Sequence, residues 1–172
     1  MDFPAIEQCQ WRAEGGGQAA AQQIAGFLAG TGIAIEAGPV SGSTLAGMTV
    51  SQGRIVVDPA IPAWPGDLLH EAGHLAVSDP AERAADAMTE DGGLEMAAIA
   101  WSYAAALASG IDPEHVFHAE GYHGGGAHIA HEFAAGRTFG VPFLALWGLT
   151  AERGENAYPA MRGWLRPPGQ IG

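Results

Sequence analysis

The stretch Leu68-Leu69-His70-Glu71-Ala72-Gly73-His74-Leu75-Ala76-Val77 decides how the rest of the chain is read. Pro65, just ahead of it, suits the first turn of a helix, and a helix from Gly66 to Val77 follows. Within it His70 and His74 stand four residues apart, which puts both imidazoles on one face about one turn from each other. That spacing lets both hold one metal ion. Glu71 leans to the same side, within reach of a metal-bound water, whose proton a carboxylate can take once zinc has lowered its pKa. The flanks Leu68-Leu69 and Leu75-Ala76-Val77 are apolar and no charge sits at Ala72 or Gly73. The helix is therefore buried along one side, where two histidines without a purpose are costly. The competing reading is a core helix whose histidines only hydrogen-bond.

Working outward, Gln18 to Ala29 reads as a helix with Ile24, Phe27 and Leu28 on one face, closed by Gly30-Thr31-Gly32. Residues 33–37, 45–51 and 54–58 read as strands, with a tight turn at Gln52-Gly53 between the last two. After Pro59, Pro62 and Pro65 the pattern is helical. Asp79-Pro80-Ala81-Glu82 has the form of a capping box opening a helix to about Thr89, broken by Gly92-Gly93. Further helices are expected over 94–108, from Asp112-Pro113 to about His118, and over 127–135 and 141–149, with a flexible loop at Gly121 to Gly126. Strands first and helices after is the α+β class. The expectation is one domain over 1–172, a small antiparallel sheet followed by a helical bundle carrying the motif helix, with 165–172 a disordered tail.

A catalytic zinc needs a third protein ligand. The candidates are Asp79, Glu82, Glu90, Asp91, Glu95 and the later histidines. Asp79 and Glu82 already have the capping box to explain them. Glu95 is best placed: it opens the next long helix, and a lone carboxylate among Leu94, Met96, Ala97, Ala98 and Ile99 asks for a partner. A second cluster comprises His115, His118, Glu120, Tyr122, His123, His128, His131 and Glu132. Three readings stay open. Tyr122 or His123 donates a hydrogen bond to a developing oxyanion; His128, His131 and Glu132 form another metal site; or the cluster is a solvated loop and helix face.

Composition narrows the partners. The chain has 172 residues, 48% hydrophobic and 15% charged, too apolar for wholesale disorder. Its 19 acidic against 7 basic residues give a net charge of −12, which excludes a basic nucleic-acid footprint and makes an anionic membrane a poor partner. Cys9 is alone, so no intrachain disulfide is possible. The amino terminus lacks the form of a signal peptide, and charge or glycine interrupts every apolar run well before 18 residues. A soluble, cytoplasmic protein is the expectation. The five tryptophans read as core or interface residues.

The His70-Glu71-Ala72-Gly73-His74 helix with a glutamate on a following helix resembles a gluzincin-type zinc metallopeptidase. The helix, short strands and hairpin ahead of it are similar to the compact ImmA/IrrE-like metallopeptidases, over about residues 18 to 108. The resemblance implies a zincin-like fold, Zn2+ held by His70, His74 and Glu95, Glu71 as general base, and a peptide or protein substrate. Two alternatives stand beside it: a metal-binding sensor or regulatory module without turnover, and a zinc hydrolase of a non-peptide amide or ester.

Overall fold

The computed structural model describes residues 2–43, 45–85 and 91–169, apart from the side chain of His123. Its elements run α1 (Pro4–Glu7), α2 (Gly17–Thr31), β1 (Ala34–Ala37), β2 (Met48–Ser51), β3 (Arg54–Val57), α3 (Asp67–Val77), α4 (Gly92–Ser109), α5 (Pro113–Val116), α6 (Gly126–Ala134) and α7 (Val141–Leu146). The α+β class is as expected. No described helix is long and apolar enough to cross a membrane.

The sheet order is β1-β3-β2. β2 and β3 form the antiparallel hairpin, with Val50 opposite Ile55 and Met48 opposite Val57. Gln52 and Gly53 both have positive φ, 51° and 79°, the backbone of a type I′ turn. β1 differs from the all-antiparallel expectation: it lies parallel to β3, Ile35 opposite Ile55 and Ala37 opposite Val57. β3 is therefore the central strand, and its Ile55 and Val57 are fully buried. Cys9, just beyond α1, is also buried, and its thiol points at the Val57 carbonyl.

α4 is apolar on nearly every side, and such a helix belongs inside a bundle. Its Ala97, Ala98, Ala100, Trp101, Ala104, Ala105 and Ala106 are buried. The small side chains let neighbours come close. A Cβ at Gly73 of α3 would stand 2.8 Å from both the Ala98 carbonyl oxygen and Ser102 Oγ. Ser102 Oγ in turn hydrogen-bonds the Leu69 carbonyl across the two helices, at 3.1 Å. The carboxy-terminal stretch packs along the same bundle: Trp101 Nε1 donates to Trp164 O, and the Tyr158 hydroxyl donates to Ala100 O. Of the stretch expected as a tail, 165–169 is described, and in it Arg166 is buried with its guanidinium over Trp147.

After α3 the chain departs from the expected helix. Residues 80–85 form turns, and the continuation to Thr89 lies outside the described residues. Asp79 does take the Ala81 N–H on Oδ1, and its carbonyl takes those of Glu82 and Arg83. The segment then folds back so that Arg83 donates to the carbonyls of Leu75 and Ser78. Arg83 thus serves carbonyls that the end of α3 leaves without helical partners. At α4 the glycines begin the helix rather than break it: Asp91 is the N-cap, accepting from Gly93 and Leu94.

Candidate metal centre

α3 is anchored firmly at its start. Gly66 lies so close under α5 that a Cβ there would collide with the His115 carbonyl oxygen, 2.0 Å away. One turn before His70, the buried Asp67 binds His118, Oδ1 to Nε2, at 2.7 Å. His118 stacks on Trp64 with centroids 4.2 Å apart, and its Nδ1 is buried without a hydrogen bond. The proton of His118 therefore belongs on Nε2, facing the carboxylate. Burial raises the Asp67 carboxyl above its ordinary range, against the pull of His118.

Beyond these anchors, along the same helix, His70, Glu71 and His74 bring one ligand atom each to within 4.8 Å of one another. His70 Nε2 and His74 Nε2 are 3.1 Å apart. Glu71 Oε1 lies 3.9 Å from His70 Nε2. Glu95, from the first turn of α4, places Oε2 3.4 Å from His74 Nε2. Zinc bonds of 2.0–2.2 Å in a tetrahedron leave ligand atoms about 3.3 Å apart. The 3.1 and 3.4 Å separations match that edge length. Glu95 stands outside the tight group of three, and its side chain is 43% exposed.

The electrostatics suit a cation. Burial, with the charges of His74 and His118, pushes His70 down to about 3. It is thus neutral at ordinary pH, the form in which an imidazole binds metal. Burial pushes Glu71 up to about 8, and the charges acting on it, from Asp67 and Glu95, are both negative. A positive ion at the imidazole nitrogens would relieve that surplus. The donor set of two imidazoles and carboxylates is one zinc accepts.

The other expected residues fall as follows. The Tyr122 hydroxyl stands 2.5 Å from His70 Nδ1, the ring nitrogen opposite the one that faces His74. It is therefore behind the imidazole, not on the side where an oxyanion would develop. Burial and the charges of Glu95, Asp67 and Glu71 raise its phenol well above the usual value. His123 lies in the same 3-10 turn, but its side chain is outside the described residues, as is Glu90. Asp91 is occupied as a helix cap, and Asp79 faces Arg166 at 3.9 Å. The second metal site is not assembled among the described residues: His128 and His131 are exposed, and Glu132 pairs with Arg137. The expected loop at 121–126 is a short turn and the start of α6, packed so that a Cβ on Gly126 would meet the Phe117 and His118 carbonyls. The sequence reading missed the Asp67–His118 pair. Asp67 had one available signal, its place one turn before His70 on the motif face.

The sequence matches no protein-family model, and no curated protein or solved structure matches the chain.

Proposed function

We propose that the chain is a zinc-dependent hydrolase of the peptidase type. The observation that carries this is the convergence of the His70 and His74 Nε2 atoms with the Glu71 carboxyl on one face of α3. His70 and His74 would hold the ion through Nε2, with Glu95 as the third ligand. When bound, zinc supplies Lewis acidity that activates a water and polarises a carbonyl. Glu71 takes the proton of the attacking water on its carboxylate and passes it to the leaving group. A site that only stored metal would not need that buried carboxyl beside the ligands. β2 is an outer strand of the sheet and packs against α3, which favours an extended chain as substrate over a small molecule.

The test is metal content per chain, followed by hydrolysis of a peptide library, for wild type, Glu71→Gln and His74→Ala. The expected result is about one zinc in wild type and in Glu71→Gln, none in His74→Ala, and cleavage by wild type alone. Zinc-loaded Glu71→Gln cleaving at the wild-type rate would remove Glu71 from the mechanism. A wild type that takes up no zinc would remove the metal centre.

A further inference from the structure

We propose that Tyr122 is a positioning residue for the metal centre: its hydroxyl holds the far side of the His70 ring and keeps Nε2 turned toward His74. This rests on the metal-centre reading above and assigns Tyr122 a place behind the ligand, out of contact with substrate. The contact is direct, 2.5 Å from hydroxyl to Nδ1, with ring centroids 4.8 Å apart. An imidazole that binds metal through Nε2 carries its proton on Nδ1, and a fixed acceptor there sets both tautomer and ring angle. The phenol oxygen is that acceptor.

The backbone shows that the surroundings impose this position. Tyr122 has φ +55°, a left-handed conformation that residues with a side chain avoid. Such a conformation persists only where its neighbours over-determine it. The determinants are present on both sides. Phe117 packs against the Tyr122 ring at 5.3 Å. His118 ties the segment to Asp67 at the start of α3 and is stacked on Trp64. Gly126 seats the start of α6 against Phe117 and His118 where any side chain would clash. Segment 117–126 therefore touches α3 twice, at Asp67 and at His70, one turn apart. The first contact fixes the segment, and the second fixes the ligand.

The experiment compares wild type and Tyr122→Phe as full chains. Phenylalanine keeps the ring packing and removes only the hydroxyl. Three quantities are measured: Co2+ affinity, the visible spectrum of the Co2+ form, and the His70 Nδ1–H resonance of the zinc form by NMR. The expected result is Co2+ affinity weakened 10–100-fold, a changed visible band and a broadened or lost Nδ1–H signal. The metal-free melting temperature should stay close to wild type. Affinity within twofold of wild type and a superimposable spectrum would overturn the clamp while leaving the metal centre standing. A wild type that binds no Co2+ would overturn the metal centre, and the clamp with it.

Discussion

Replacing Gly73 by alanine probes the contact on which the candidate centre depends. The added Cβ would stand 2.8 Å from the Ala98 carbonyl oxygen and 2.8 Å from Ser102 Oγ, where ordinary contact begins near 3.4 Å. Ser102 can rotate, but the carbonyl belongs to the backbone of α4. The helices must therefore separate by about half an ångström, and overpacking of this kind costs about 1–3 kcal/mol. Alanine in place of glycine inside a helix returns about 1 kcal/mol of that. The net loss is about 0–2 kcal/mol, a fall in Tm of up to roughly 8 °C for a chain this long. Gly30 is the control: it lies in the last turn of α2, and a Cβ there meets nothing within 4 Å. Gly30→Ala should raise Tm by up to roughly 4 °C, the helical gain being smaller in a last turn than in mid-helix. Thermal melts of the metal-free proteins, with calorimetry, give both numbers. Gly73→Ala should also weaken zinc binding, because spreading α3 from α4 draws Glu95 away from His74. A Gly73→Ala protein melting above wild type, as Gly30→Ala does, would refute the close crossing.

Other outcomes are equally specific. Glu95→Ala should keep the fold and lose most zinc affinity, read by competition with a chromophoric chelator; unchanged affinity would strike Glu95 from the ligands. The raised Asp67 carboxyl means the folded state holds that proton more tightly than the unfolded chain does. Its favourable contribution is present below the ordinary carboxylate range and is lost as pH rises through the raised value. Urea unfolding of wild type should therefore lose stability across that window relative to Asp67→Asn, and parallel pH curves for the two would contradict the buried pair. Gln52→Asn should stabilise by about 0.5–1 kcal/mol in the same assay, since asparagine tolerates the positive φ that glutamine endures there.

The motif helix was legible because its chemistry is local: four residues between histidines fixes their relation whatever surrounds them. That Glu95 would lie near His74 could be read because the next helix had to pack nearby, but the apolar run around it did not bury its carboxylate. Gly73 was legible only as an uncharged position, since its purpose is the Ala98 carbonyl on another helix. The same limit hid His118, whose partner Asp67 lies 51 residues earlier. Strand alternation marked where β1, β2 and β3 run but carries no information about order, so the insertion of β3 between the others and the parallel pairing of β1 could not be read. Asp79 misled for a physical reason. An aspartate followed by proline caps a turn with the same hydrogen bonds that open a helix, and the tie from Arg83 back to α3 favoured the turn.

The solitary Cys9 has a consequence of its own. Burial and the nearby Asp58 push its thiol up, so in the native state it is both screened and protonated, and a thiol reagent must wait for an opening event. The chain thus carries a built-in clock for its own fluctuations, set where the residue just beyond α1 meets the central strand. Zinc should slow that clock only if the sheet end and the motif helix open together. Labelling rates with and without metal would then report whether the centre stabilises its own helix pair or the whole chain as one cooperative unit.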